Sequence, residues 1–183
     1  MKRFVSVTEN FLDEEMFSTF NAFAQSTKMY DLIENDTFWS KKVVHLDSVF
    51  FMLKESKKYA DLVRDKLVSE FNIENDIYFD LLCITRWLEN TGHDLHAPSE
   101  NLDGTPSVLP WRDYGCILFL NDNFVGGDIE FPKQNIRIKP KPNTLIMYPG
   151  DSEFAHKKHV ISTGTRYIID SFWTKDKSKQ IDL

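Results

Sequence analysis

Two segments in the N-terminal third have the apolar spacing of amphipathic helices. Between Asn10 and Ala24, Phe and Met side chains recur every three or four positions, and acidic residues lie near the start, where a helix dipole favours them. Between Ser56 and Phe71, apolar residues including Val63 and Leu67 recur with a period near 3.6 residues. We therefore predict one helix over 10–24 and a second over 56–71.

From Ile77 onward the pattern changes to short β-branched and aromatic runs separated by Gly, Pro, Asn and Asp, which is typical of strands and turns. The runs are IYFDLLCITRWL, GCILFLND, DIEF, IRIKP, TLIMYP and RYIIDSFW. Helices followed by at least six strands predict an α+β fold whose sheet is an antiparallel sandwich or barrel. We predict a single domain over 1–183, with helical support over about 1–76, a sheet core over about 77–174 and a frayed polar tail over 175–183.

Composition narrows the class of protein. Of 183 residues, 42% are hydrophobic, which fits a globular chain, and 28 acidic against 22 basic residues give a net charge of −6. This charge argues against a broad nucleic-acid-binding face, so no nucleic-acid partner is expected. Cys83 and Cys116 lie in apolar runs, as buried thiols do. No run has the length of a membrane span and the N-terminus lacks a signal-peptide core, so we expect a cytoplasmic protein without membrane contact. The pattern does not specify an oligomeric state.

A histidine and an arginine stand on what we predict to be neighbouring strands. His156 precedes Arg166, with the turn STGT between them. Because strand residues of matching parity share a face, both side chains can point into one cavity, where they would pair a metal ligand with a carboxylate anchor. The alternative is an arginine on the surface beside a solvated histidine. The spacing alone leaves both open.

Several linked strings carry a resemblance to a known family. LFLNDNFVGGDIEFP, IRIKPKPNTLIMYPGDSEFAH and VISTGTRYIIDSFW, preceded by WRDYG, occur in this order. Together they resemble the iron(II)- and 2-oxoglutarate-dependent oxygenases of the prolyl 4-hydroxylase type. The resemblance covers residues 80–173 well and the N-terminal third loosely. It implies a double-stranded β-helix, or jelly roll, with the N-terminal helices packed on its outer sheet.

The resemblance also implies roles for individual residues. His156 matches an iron-binding histidine, and Arg166 matches the basic residue that binds the far carboxylate of 2-oxoglutarate. Trp87 stands where the family often has a tyrosine that hydrogen-bonds the co-substrate, and its indole N–H can donate but not accept. The implied reagents are iron(II), 2-oxoglutarate and dioxygen, and the resemblance allows ascorbate. The implied reaction is hydroxylation of an unactivated C–H bond in a peptide or small-molecule substrate.

The chain departs from the family at the other two iron ligands. The family supplies them as His-x-Asp, because alternate strand residues share a face. Matching Arg86-Trp87 upstream and Asp103–Arg112 downstream places His96 on the histidine and Pro98 on the aspartate, and proline has no ligating atom. A second register places Pro98 on the histidine and Glu100 on the carboxylate, but only the first agrees with both flanks.

Four interpretations of this departure remain open. Asp94 lies two residues before His96 and could supply the carboxylate as a reversed pair, or Glu100 could reach back from the following loop. The position could be open, as in the related halogenases, where a halide takes the vacant iron site. The site could instead be degraded, which would leave a jelly-roll module that binds without catalysing.

The remaining histidines are weaker candidates. The one literal His-x-Asp, at 45–47, lies upstream of the sheet-rich region, and we interpret it as a solvated strand face. We expect His93 in a loop or on the surface and His159 outside the site. The loop Glu100–Trp111, which contains two prolines, is the predicted lid over the pocket.

Overall fold

The computed structural model describes residues 3–32 and 38–183. Helix α1 (Glu14–Ser26) begins later than predicted because the Asp13 carboxylate caps it, accepting a hydrogen bond from the Met16 backbone. Helix α2 (Leu53–Phe71) begins earlier, because a short 3-10 turn leads into it. It ends at Asn72, which adopts the left-handed conformation of a C-cap. Neither described range contains a helix long and apolar enough to cross a bilayer.

Twelve strands occur in the described part of the chain, separated mainly by tight turns and short 3-10 segments. They are β1 (Ser6–Glu9), β2 (Val43–His45), β3 (Tyr78–Trp87), β4 (His93–His96), β5 (Tyr114–Phe119), β6 (Phe124–Gly126), β7 (Ile129–Phe131), β8 (Ile136–Ile138), β9 (Thr144–Pro149), β10 (His156–Lys158), β11 (Ile161–Gly164) and β12 (Arg166–Thr174).

The strands form two main antiparallel sheets and one two-stranded ribbon. The large sheet has the order β1-β9-β5-β12-β3-β2, the small sheet has the order β4-β10-β7-β8, and β11 pairs with β6. Strand β12 is central in the large sheet, with β5 on one side and β3 on the other. Such non-consecutive pairings between facing sheets are typical of a jelly roll.

The N-terminal third contributes strands as well as helices. Strand β1 extends one edge of the large sheet by pairing with β9, and β2 extends the other by pairing with β3. The prediction of helical support over about 1–76 did not include these two strands. Val43 and Val44 are buried, so their short apolar run is stabilised by the sheet edge rather than by its own length.

Two apolar clusters lie on opposite faces of the large sheet. The outer cluster joins the helices to the sheet through side chains such as Phe20, Tyr59 and Leu118, and the inner cluster lies between the sheets and includes Phe119 and Ile168. Both faces of β5 are therefore buried, which explains its continuous apolar sequence. Fully burying one such side chain contributes about 1.5–3 kcal/mol. The predicted α+β jelly roll with helices on its outer sheet is confirmed.

The C-terminal tail differs from the prediction that it frays. The Ile181 backbone N–H donates to the Phe79 carbonyl at 3.1 Å, and Leu183 packs against the outer cluster. A 3-10 turn at Lys177–Lys179 brings these residues back to the sheet. The two apolar side chains in an otherwise polar tail were the signal for this docking.

Gly150 clamps both ends of the loop between β4 and β5. Its carbonyl accepts from the Ser99 N–H and its N–H donates to the Asp113 carbonyl, both at 2.8 Å. A Cβ at this position would overlap the Arg112 carbonyl oxygen. Only glycine allows the two backbones to approach this closely.

We expect Gly150→Ala to lower the free energy of unfolding by at least about 3 kcal/mol, because a backbone carbonyl cannot move aside as a flexible side chain can. Gly104→Ala is the control, since its added methyl group meets no atom within 4 Å and its positive φ of 85° costs only about 1–2 kcal/mol. Urea denaturation of both variants measures the difference. A loss at Gly150 no larger than at Gly104 would contradict the clamp.

Candidate active site

A cavity of about 560 Å³ lies between the large and small sheets. The large sheet contributes side chains from β2, β3 and β12, and the small sheet contributes side chains from β4 and β10. Ser107, Val108 and Leu109 from the loop predicted as a lid also line it. The cavity thus has a β-walled interior and a loop at its edge, an arrangement common to small-molecule sites.

The structure brings His96 and His156 together in this cavity. They lie directly opposite each other on β4 and β10, and their ring centroids are 4.5 Å apart. The Nδ1 of His96 is 2.7 Å from the Asp94 carbonyl oxygen, so this nitrogen carries the proton and Nε2 is left free. His156 is buried, its Nε2 lies 3.3 Å from the Tyr148 hydroxyl, and its Nδ1 has no hydrogen-bond partner among the described residues.

Burial keeps these imidazoles neutral. Desolvation lowers the pKa of His96 to about 4, and the Asp94 hydrogen bond only partly opposes this shift. Desolvation also lowers the pKa of His156 well below its usual value, with the neighbouring His96 and Lys158 acting in the same direction. Neutral imidazoles expose a lone pair, which is the form that binds metal ions.

A bulge in β4 places a third histidine in the cavity. His96 pairs with His156 and His93 pairs with Lys158. The two β4 residues are three positions apart, whereas their β10 partners are two positions apart, so β4 contains one extra residue. The bulge turns His93 to the same face as His96, and their rings stack with centroids 3.7 Å apart. The expectation of a loop or surface position for His93 is wrong, because residues three apart share a face only where a bulge resets the alternation.

Neither predicted carboxylate lines the cavity. Asp94 is exposed on the bulge and contacts His96 only through its backbone carbonyl. Glu100 is turned outward, where its Oε2 accepts from the Ser152 N–H at 2.9 Å. Pro98, which stands in the aspartate position, does line the cavity. Within residues 3–32 and 38–183, no three His, Cys, Asp or Glu side chains converge closely enough to hold a metal ion.

Arg166 has an unused hydrogen-bonding edge. Its side chain is fully buried, Nη1 donates to the Gly127 carbonyl, and Nε and Nη2 have no partner in the described part of the chain. These two nitrogens form one edge of the guanidinium, the geometry that binds a carboxylate through two parallel hydrogen bonds. Burial lowers the pKa of Arg166 to about 10, so the group stays charged at neutral pH.

Trp87 lies directly against this guanidinium. It pairs with Arg166 across β3 and β12, and the Arg166 guanidinium carbon is 5.3 Å from the centre of its indole. The indole N–H donates to the Thr85 hydroxyl at 3.1 Å. Trp87 therefore offers an aromatic face to the cation, while its only polar atom is already engaged.

Sequence reasoning missed a buried ion pair in the cavity. Lys158 Nζ lies 3.0 Å from Asp170 Oδ1, and the Thr85 hydroxyl donates to Asp170 Oδ2 at 2.7 Å. Both charged side chains are 5% exposed. Burial lowers the pKa of Lys158, and the Asp170 carboxylate opposes that shift. The parity argument that singled out His156 and Arg166 also selects these two residues. Lys158 is two residues after His156 on β10, and Asp170 is four residues after Arg166 on β12.

His45 and His159 do not contact the imidazoles of His96 and His156. His45 is exposed at the end of β2, and Asp47 lies in the following 3-10 turn, so the two do not share a strand face. His159 Nε2 lies 2.6 Å from the Glu130 carboxylate, and neither side chain lines the cavity. The position of His159 agrees with its sequence interpretation, whereas the interpretation of 45–47 as a solvated strand face is wrong, because His45 lines the cavity and Asp47 has left the strand.

The neutral state of His96 predicts how stability depends on pH. Its pKa is near 6.5 in an unfolded chain and about 4 in the folded protein, so between these values only the unfolded state takes up the proton. Lowering the pH from 7 to 5.5 should therefore reduce the free energy of unfolding by about 1 kcal/mol through this residue alone. Urea denaturation of the metal-free protein at both pH values measures the drop, which should be smaller in His96→Gln. An equal drop in the variant would show that His96 is not held neutral.

No protein family model matches the chain. Among curated proteins, prolyl 3-hydroxylase 2 of Homo sapiens is 25% identical over 148 residues, which cover 68% of this chain and 21% of that protein. Prolyl 3-hydroxylase 3 of Homo sapiens is 30% identical over 89 residues, which cover 42% of this chain and 12% of that protein. The chain thus spans about a fifth of the length of prolyl 3-hydroxylase 2, which it matches over 68% of its own length.

Solved structures match over nearly the whole chain. The viral collagen prolyl hydroxylase of Paramecium bursaria Chlorella virus-1, in a 2-oxoglutarate complex, superposes with a TM-score of 0.73 at 15% identity, covering 96% of this chain and 98% of that one. A Trichoplax adhaerens prolyl hydroxylase, in complex with a peptide fragment of hypoxia inducible factor, gives 0.69 at 17% identity over 96% and 85% of the two chains. The resemblance drawn from the sequence is confirmed: this chain has the jelly-roll fold of the 2-oxoglutarate- and iron(II)-dependent oxygenases and is similar to the prolyl hydroxylases among them.

Proposed function

We propose that this protein is an iron(II)- and 2-oxoglutarate-dependent dioxygenase in which His96 and His156 hold the metal and Arg166 holds the far carboxylate of the co-substrate. The observation that supports this most is the pair of neutral imidazoles in one cavity, together with the unpartnered edge of a buried guanidinium on the facing sheet. The bound iron, with 2-oxoglutarate and dioxygen, would supply the oxidising chemistry, and ascorbate would serve as an auxiliary reductant.

The protein's own residues would position these reagents. The Asp94 carbonyl holds the ring of His96 through Nδ1, which would leave Nε2 to bind the metal, as outer hydrogen bonds commonly do for ligating histidines. Arg166, braced by the Gly127 carbonyl and the face of Trp87, would orient the co-substrate. The apolar inner cluster around it excludes water from the acid's chain.

The donor set fits the two-histidine part of a family iron site and lacks the carboxylate part. With Asp94 exposed and Glu100 bonded to Ser152, Pro98 leaves the third protein position open. Of the four interpretations of the sequence, this placement agrees with the open position and with the degraded site. A site with two protein ligands leaves an additional place for an exogenous ligand such as a halide.

We further propose a peptide as the substrate. The curated relatives are prolyl 3-hydroxylases by name, and one structural neighbour is described in complex with a peptide fragment. In this chain, Trp39 and Val108 line the cavity and are both exposed, Val108 by 89%. Exposed apolar side chains at a cavity edge suit an extended chain that inserts one side chain.

A second candidate is a jelly-roll module that binds an acid without oxidising a substrate. Two observations favour it: the cavity lacks a third protein ligand, and the cation of Lys158 lies where it opposes metal binding at the neighbouring histidines. This module would bind the acid through its cations alone. Metal binding separates the two candidates.

The oxygenase proposal predicts micromolar binding of Mn(II), used as a redox-stable substitute for Fe(II), by anaerobic isothermal titration. His156→Ala should weaken this binding at least tenfold, because it removes one of the two imidazoles. His159→Ala is the control, since His159 is bonded to Glu130 outside the cavity and should leave the affinity unchanged. Release of succinate from 2-oxoglutarate with Fe(II) is the corresponding activity. Absence of metal binding by the folded protein would favour the module.

Restoring the family's carboxylate gives a gain-of-function test. Pro98→Asp creates a His-x-Asp pair with His96 at a position that already lines the cavity. The added charge and donor should tighten Mn(II) binding at least tenfold. Pro98→Asn is the matched control, because it has nearly the same size without the charge. Equal affinities in two folded variants would show that position 98 is not directed at the metal.

A further inference from the structure

We infer that Lys158 is a second acid-binding residue, and that a dicarboxylic acid binds with one carboxylate on Lys158 and the other on Arg166. The identity of the acid, 2-oxoglutarate, is taken from the proposed function. The alternative is that Lys158 and Asp170 form only a structural strut between the sheets.

The two cations lie against the same aromatic ring. Lys158 Nζ lies 5.2 Å from the centre of the Trp87 indole, and the Arg166 guanidinium carbon lies 5.3 Å from the same ring. Lys158 lines the cavity and is two residues from His156 on the same face of β10. An acid that spans both cations would therefore have one end beside the histidines and the other end at Arg166.

Both cations have hydrogen-bond donors that the described residues of the protein do not use. A lysine ammonium has three donors, and within the described ranges Lys158 Nζ donates only to Asp170. Arg166 keeps its Nε and Nη2 edge unpartnered although the side chain is fully buried. Buried cations with unused donors are costly unless an anion completes them. Lys158 thus offers donors for one carboxylate in the cavity, and the buried edge of Arg166 beside Trp87 offers donors for a second.

Asp170 occupies the position that we assign to the ligand's carboxylate. It is the one acidic residue among the described residues that line the cavity, and its two oxygens accept from Lys158 and Thr85. As a purely structural contact the pair is a poor choice, because apolar side chains of the same volume hold two sheets together at least as well as a buried ion pair. As a stand-in for the acid, Asp170 holds the Lys158 ammonium in position by accepting its hydrogen bond.

If Lys158 binds the acid and Asp170 takes the place of its carboxylate, removing each charge should change the affinity for the acid in opposite directions. Lys158→Met should weaken dicarboxylate binding at least tenfold, because it removes one anchor. Asp170→Asn should strengthen it about three- to tenfold, because the amide still accepts from Thr85 but no longer competes for Lys158. A structural strut predicts no gain of affinity from either substitution.

The experiment measures binding of glutarate to the metal-free protein by isothermal titration, with 2-oxoglutarate plus Mn(II) in parallel. Glutarate has both carboxylates but no keto group, so its binding reports on the cations without the metal. Lys157→Met is the matched control, because Lys157 is on the opposite face of β10. Lys158→Met/Asp170→Asn removes both charges, so that no unpaired buried charge remains, and should bind glutarate as weakly as Lys158→Met. Circular dichroism verifies that each variant is folded.

The outcomes separate this inference from the proposed function. Weaker binding in Lys158→Met together with tighter binding in Asp170→Asn supports Lys158 as an anchor, and it does so even if Mn(II) does not bind and the oxygenase proposal fails. Binding of 2-oxoglutarate with Mn(II) that is unchanged in Lys158→Met overturns the inference and leaves the oxygenase proposal intact. Failure of the unmodified protein to bind either acid at millimolar concentration also overturns it.

Discussion

The pairing of β4 with β10 is the contact on which the site depends. It joins residues sixty positions apart and sets His96 opposite His156, while its bulge adds His93 to the same face. A strand pair without the bulge would turn His93 to the outside. The loop that follows β4 is then held by Gly150, which ties its two ends to the chain segment between β9 and β10. The histidine geometry therefore follows from one short ladder, and the position of the loop at the cavity edge follows from Gly150.

Charge is distributed in this cavity differently from the family pattern that the sequence resembles. Position 98 carries no carboxylate, and the cavity instead contains the Lys158–Asp170 pair, which is neutral as a unit. Two neutral imidazoles beside a paired cation attract a metal ion less strongly than two imidazoles beside a free carboxylate. The same cation favours anionic ligands. The lack of a carboxylate at position 98 therefore weakens the proposed metal binding, while Lys158 would strengthen the proposed binding of an acid.

Parity along single strands was sufficient to predict much of this protein. The strand character of residues 77–174 and both helices follow from periods of 2.0 and 3.6 residues. The prediction that His156 and Arg166 stand on neighbouring strands is wrong, because β10 and β12 lie in facing sheets. The bulge could not be predicted, because it arises from pairing between strands rather than from the sequence of β4. The strands β1 and β2 were missed for a similar reason, since runs of three or four residues become strands only when a sheet edge stabilises them. The same parity would have revealed Lys158 and Asp170 had it been applied to every charged residue.

Strand β12 occupies the middle of the large sheet, and this position links the proposed acid recognition to the integrity of the molecule. Its hydrogen bonds to β3 and β5 unite β2-β3 with β1-β9-β5, and it also carries Arg166 and Asp170. A substitution that retunes acid preference on this strand acts on the element that joins the two halves of the sheet. If these residues bind an acid as proposed, substitutions that change the preferred acid will also lower stability, and compensating substitutions elsewhere in the sheet will be needed.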